Sequence, residues 1–167
     1  AGCTCLIINS GADLDLSNND INIKNDANIN GTLAANNSNL TFNGEVNQNI
    51  NGNGFTASDL FVDNENQLDF SLNANELIEI TNLVDVQNAT LNTNDQLTLK
   101  STASNTAQLG EINGSSAITG NVIVERYFSS RRAFRLVSPS VTTSTSINEN
   151  WQEGVNNTGT NFPADNQ

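Results

Sequence analysis

The side chains able to do chemistry in this 167-residue sequence are carboxylates, two thiols and four guanidiniums, and histidine is missing altogether. Without histidine the chain can build no Ser-His-Asp triad, no Cys-His dyad and no His-ligated metal centre. No Gly-rich loop ends in Lys-Ser/Thr to cradle a phosphate, and no dinucleotide fingerprint follows a strand. The carboxylate pairs to weigh are Asp13 with Asp15, Glu76 with Glu79, and Asp63 with Glu65. Glycoside cleavage needs two carboxyls roughly 5–9.5 Å apart across a cleft. A solvated acidic face explains the same residues more simply, so no enzyme is expected. Acids and Asn carbonyls are also the hard oxygen donors that Ca²⁺ prefers, but neither an EF-hand loop nor the Gly-Asp nonapeptide occurs. No cofactor is expected; the acidic face is at most a diffuse, weak Ca²⁺ binder. The sequons Asn88-Ala89-Thr90 and Asn113-Gly114-Ser115 are near chance in a chain this rich in Asn, Ser and Thr.

Cys3 and Cys5 are one residue apart. On one strand they would share a face, too far apart for an unstrained bond without a kink. Two small buried residues of a first rung is the leading reading. A disulfide, between them or to another segment, is the next, and a metal site the least favoured. All four arginines fall in a segment that also holds aromatics, with Arg126, Tyr127, Arg131, Arg132, Phe134, Arg135 and Trp151 as the candidate interaction or cap residues. They could dock an acidic surface or stack on sugars. The favoured alternative pairs the arginines with acids of the same chain and lays their methylene stems over its apolar end.

The elements that must position these groups are short strands. Apolar triplets alternate in-out-in: Leu14-Asp15-Leu16, Ile21-Asn22-Ile23, Leu40-Thr41-Phe42, Leu60-Phe61-Val62, Leu68-Asp69-Phe70, Ile78-Glu79-Ile80, Val84-Asp85-Val86, Leu97-Thr98-Leu99 and Val122-Ile123-Val124. Weaker matches lie around Leu33, Val46 and Leu109. Period two makes each a half-buried strand. Asparagine, roughly a fifth of the chain, fills the gaps with glycine, and both accept the left-handed backbone of a corner. Sustained helical periodicity is absent.

About three strands per turn give coils of roughly 20–30 residues, a solenoid period. The fold expected is all-β: a right-handed parallel β-helix over residues 1–125, then a cap segment and the start of a following β region over 126–167. The five Asn-Gly pairs also suit hairpins, so an antiparallel β-sandwich is the alternative. Phe42 and Phe70 should point inward, Phe55 should sit at a corner, and Phe61 alone should face out.

Charge narrows the partners. The net charge of −12 arises from residues 1–119, where 14 acids face only Lys24 and Lys100. Such a surface repels nucleic acid and anionic membranes. No run of about eighteen apolar residues suggests a membrane span.

Gly120-Asn121-Val122-Ile123-Val124-Glu125-Arg126-Tyr127-Phe128, Arg131 to Val141 (RRAFRLVSPSV) and Asn148 to Gly154 (NENWQEG), after the opening Cys5-Leu6-Ile7-Ile8-Asn9-Ser10-Gly11, resemble Asn/Gly-rich β-repeat regions of large secreted proteins of flavobacteria and other Bacteroidota. The resemblance covers most of the chain. It implies a cell-surface protein exported by a type IX-like route, and it supplies no catalytic residue. The chain is therefore expected to be a segment of a longer extracellular protein, serving as a structural or adhesive repeat module. Its expected partners are further copies, neighbouring domains of the same protein, or surface glycans. The alternative function is a polysaccharide-binding or polysaccharide-cleaving β-helix. Ice binding is a third reading, against which no regular Thr-x-Thr column appears.

Overall fold

A chain that repeats short alternating strands buries their apolar faces most simply by coiling over itself. The computed structural model, which describes the backbone of Gly2 and Cys3 and residues 5–129 in full, is such a coil. It is a parallel β-solenoid of about five turns, with no helix among the described residues.

The strands form two sheets. The larger contains β1 (Gly2–Cys3), β3 (Asp13–Asp15), β4 (Ile21–Ile23), β6 (Thr32–Phe42), β8 (Phe55–Val62), β10 (Ile78–Val86), β12 (Leu97–Leu99), β13 (Gln108–Leu109) and β15 (Val122–Val124). The smaller contains β2 (Leu6–Ile8), β5 (Ala27–Ile29), β7 (Gln48–Gly52), β9 (Gln67–Leu72), β11 (Thr90–Asn92) and β14 (Ala117–Thr119). Each β6, β8 and β10 strand bends across two faces, with register shifts between Ala35 and Asn39 and between Ile80 and Leu83. Three faces per turn result, one from the smaller sheet and two from the larger. Every strand pair is parallel, and the one antiparallel contact among the described residues is the isolated bridge Ser101–Thr106. The antiparallel sandwich is thereby excluded.

Four of the Asn-Gly pairs turn the chain between strands, Asn51-Gly52 ends β7, and none closes a hairpin. Asn53-Gly54 joins β7 to β8, and a Cβ on Gly54 would stand 2.1 Å from the Leu77 carbonyl oxygen of the next coil. Only glycine lets the backbones approach so closely. Elsewhere asparagine takes the corners itself: Asn18, Asn75, Asn88 and Asn94 have φ of 66°, 66°, 51° and 47°. This left-handed region costs Asn less than other side chains.

The core is a thin axis of stacked columns. Ile23, Phe42, Val62 and Val86 lie in register on one face, and Ala27, Ile50 and Phe70 on another, all essentially buried. Each of the larger side chains contributes about 1.5–3 kcal/mol by leaving water. Three sequence expectations need correction. Phe55 is the first residue of β8 and buried, because Gly54 completes the turn one residue earlier. Val46 is exposed and lies in no strand, since the chain is still turning there and β7 begins at Gln48. Leu109 ends β13 but is 49% exposed. Residues 126–129 belong to no strand, and the expected cap beyond them lies outside the described residues.

Candidate functional site

Stacking parallel strands brings each outward side chain over one from the neighbouring coil. Asn49, Asp69, Asn92 and Thr119 form one such column on the smaller sheet, and Asn28, Asn51 and Ser71 another. Two rungs pair like amides. Asn51 Nδ2 donates to Asn28 Oδ1 at 3.0 Å, and Asn73 Nδ2 to Asn53 Oδ1 at 2.9 Å.

The commoner rung is an aspartate in one coil accepting from an asparagine in the next. Asp59 Oδ1 receives Asn82 Nδ2 at 2.6 Å, and Asp69 Oδ1 receives Asn92 Nδ2 at 2.8 Å. Asp20, Asp26 and Asp95 receive the backbone N–H of Asn39, Asn49 and Asn121 at 3.0, 2.8 and 2.6 Å. A carboxylate only accepts and an N–H donates, so the pair satisfies both with a charge-assisted bond. Aspartate over aspartate would repel. This explains how an acidic chain stacks closely: neutral asparagines separate its charges.

A buried amide cluster ties three coils at one corner. Gln48, fully buried, donates through Nε2 to Ile23 O (3.1 Å) and Asn25 O (2.7 Å). Its Oε1 accepts from Gly44 N (2.9 Å) and Asn64 Nδ2 (3.3 Å). Asn64, also buried, donates to Gln67 O and accepts Asn66 N.

Of the three carboxylate pairs, Glu76, Glu79 and Asp15 have separate structural tasks. Glu76 Oε2 accepts Gly54 N at 2.8 Å and so closes the β7–β8 corner from the next coil. Glu79 accepts Thr56 Oγ1 at 3.1 Å and pairs with Lys100 at 2.9 Å. Lys100 also holds Glu125 at 2.7 Å, making a three-coil clamp. Hydrogen bonds to Glu125 and then Glu79 raise the Lys100 pKa. Burial pushes Glu125 up, but Lys100 and the Ser101 N–H outweigh it, so its carboxyl lies below the ordinary value. Asp15 accepts Ser17 N at 2.8 Å, while Asp13, Asp63 and Glu65 are exposed. A shallow hollow of about 390 Å³ lies over the corner where Ser17 and Asn18 face Asn36–Ser38. Asp15 is the only carboxylate lining it, and no aromatic ring does. Among the described residues no three His, Cys, Asp or Glu side chains are grouped to hold a metal.

Cys3 and Cys5 do not share a strand: Cys3 ends β1, and Cys5 precedes β2. Cys5 is exposed, not buried in a first rung, because Leu6 and Ile8 take the inward positions beside it. Arg126 is exposed and pairs with no acid among the described residues; its guanidinium donates to Glu125 O at 2.9 Å. The neighbouring Glu125 carboxylate is held by Lys100 and the Ser101 N–H. Tyr127 is half exposed, with its N–H on Ser101 Oγ. Arg131, Arg132, Phe134, Arg135 and Trp151 lie outside the described residues. Phe61 does face outward, half-buried between Thr41 and Asp85. Among the described residues, five of the seven exposed large apolar side chains, Leu109, Ile112, Ile123, Tyr127 and Phe128, fall in the last part of the coil.

No protein-family model matches the chain, and no curated protein or solved structure does.

Proposed function

We propose that the chain is a structural or adhesive repeat module of an extracellular surface or fibre-forming protein, without catalytic activity of its own. The observation that carries this reading is the use of its polar groups. Asp20, Asp26, Asp59, Asp69, Asp95, Glu76 and Glu79 each bond across to a neighbouring coil. A catalytic carboxylate pair would instead face a cleft with its oxygens open to substrate. Coil-to-coil bonding of this kind stiffens a rod that contacts only its neighbours along one axis. The exposed apolar side chains of the last coils, Leu109, Ile112, Ile123 and Tyr127 among them, are the part suited to attachment, to a further copy or to a neighbouring domain of the same protein.

Screening the purified chain against a panel of surface polysaccharides, with reducing-end release followed in parallel, tests the reading. No release is expected, and any glycan retained should leave uncut. Release of reducing ends that is lost on substituting one acid pair would overturn the proposal in favour of a polysaccharide-cleaving β-helix.

A further inference from the structure

Asparagine followed by glycine is the dipeptide most prone to spontaneous deamidation, because the glycine N–H meets little steric hindrance in reaching the Asn side-chain carbonyl. The chain contains five such pairs. Reaction requires a free side chain, a free glycine N–H and a backbone able to swing, and the coil withholds at least one of these from four pairs.

At Asn43-Gly44 the glycine N–H is buried and donated to Gln48 Oε1 at 2.9 Å. At Asn53-Gly54 the glycine N–H is donated to Glu76, and the Asn53 amide bonds both Gly31 O and Asn73. Asn51 is held by Asn28, and Gly52 lies buried in the β7 ladder. Asn30 has an exposed side chain, but its N–H donates to Ile8 O at 2.7 Å and the Gly31 carbonyl accepts Asn53. A Cβ on Gly31 would stand 2.1 Å from Ala12 O, so that peptide has no room to turn.

Asn113-Gly114 differs in every respect. Both residues are exposed, the Asn113 amide and the Gly114 N–H have no hydrogen-bond partner among the described residues, and the space beside Gly114 is open. The pair is held only by a single turn bond from Ser116 N to Asn113 O at 3.0 Å. We infer that Asn113 is the deamidation site of the folded protein. The Gly114 nitrogen attacks Asn113 Cγ, the new N–C bond forms, the C–NH₂ bond breaks, and ammonia leaves with the amide proton. Water then opens the succinimide at either carbonyl, giving aspartate or isoaspartate. The isoaspartate product reroutes the main chain through Cγ and dismantles the turn, and both products add a negative charge near Leu109 and Ile112.

The test is incubation of the intact chain in mildly alkaline, ¹⁸O-enriched water, followed by peptide mapping in the mass spectrometer. Each hydrogen bond that must open slows reaction by roughly two- to ten-fold, so Asn113 should convert roughly ten-fold or more faster than the other four. In denaturant all five should converge to similar rates. Equal native rates at the five pairs, or faster conversion at any of the other four, would overturn the assignment. So would an Asn113 that stays unconverted when folded yet reacts in denaturant.

Discussion

Replacing Gln48 by leucine sets two physical effects against each other. Leucine is close to glutamine in size and more apolar, so on burial alone Gln48→Leu should be neutral or stabilising. The hydrogen bonds argue otherwise. Ile23 O keeps a partner, because it also accepts Asn43 N at 3.2 Å, and Asn64 Nδ2 keeps Gln67 O. Asn25 is exposed, so water can replace its lost bond. Gly44 N–H is buried with Gln48 Oε1 as its one acceptor, and leucine leaves it with none. An orphaned buried donor costs about 1–3 kcal/mol and each lost bond about 1 kcal/mol net, so the variant should lose about 2–4 kcal/mol. Urea titration followed by circular dichroism should show the midpoint falling with an unchanged slope. Amide exchange should quicken most at Gly44 and its neighbours. The neighbouring exposed Asn47→Leu should stay within about 0.5 kcal/mol. A Gln48→Leu variant as stable as the parent would refute the claim that this amide holds the corner.

Lys100→Met should cost about 0.5–2 kcal/mol, since both of its pairs are partly exposed, and the loss should shrink in high salt. The Glu125 contribution is present above its unfolded pKa of about 4.3 and fades as pH falls through the lower folded value. The Lys100 contribution is full below about pH 10.4 and fades as pH rises through the higher folded value. Stability-versus-pH curves of the Met variant should therefore be flatter at both limits. Phe42→Ala, in a fully buried column, should lose about 3–5 kcal/mol in the same titration. Gly54→Ala should cost about 1–3 kcal/mol or more, because the obstructing atom is the Leu77 backbone oxygen and not a side chain that can move aside. Asn82→Ala removes a bond to the buried Asp59 carboxylate and should cost about 1.5–3 kcal/mol.

The larger sheet was legible in the sequence because its inward positions are large and apolar. Ile21 and Ile23, Leu60 and Val62, and Val84 and Val86 each announce a strand. The smaller sheet was half hidden. Its inward positions include Ala27, Gln48 and Gly52, which carry no hydrophobic signal although the fold buries them. Gln48 could be recognised as inward only once Ile23, Gly44 and Asn64 were seen around it. Asn-Gly chemistry marked corners at four of its five pairs, Asn51-Gly52 lying in β7, but could not separate a solenoid turn from a hairpin. Contacts with other coils decide that, such as the approach of Leu77 to Gly54. The aspartate–asparagine rungs escaped notice because coil length varies: Asp20 meets Asn39 across 19 residues, Asp59 meets Asn82 across 23, and Asp95 meets Asn121 across 26. No fixed period could have paired them.

The central claim is that this solenoid serves as an extracellular scaffold and not as a catalyst. Immunogold electron microscopy of native cells and the material they shed, with an antibody raised against the chain, tests it most directly. The account predicts label on elongated surface structures or filaments, with the coil axis along their length. Label confined to the cell interior on compact, unassembled particles would contradict it.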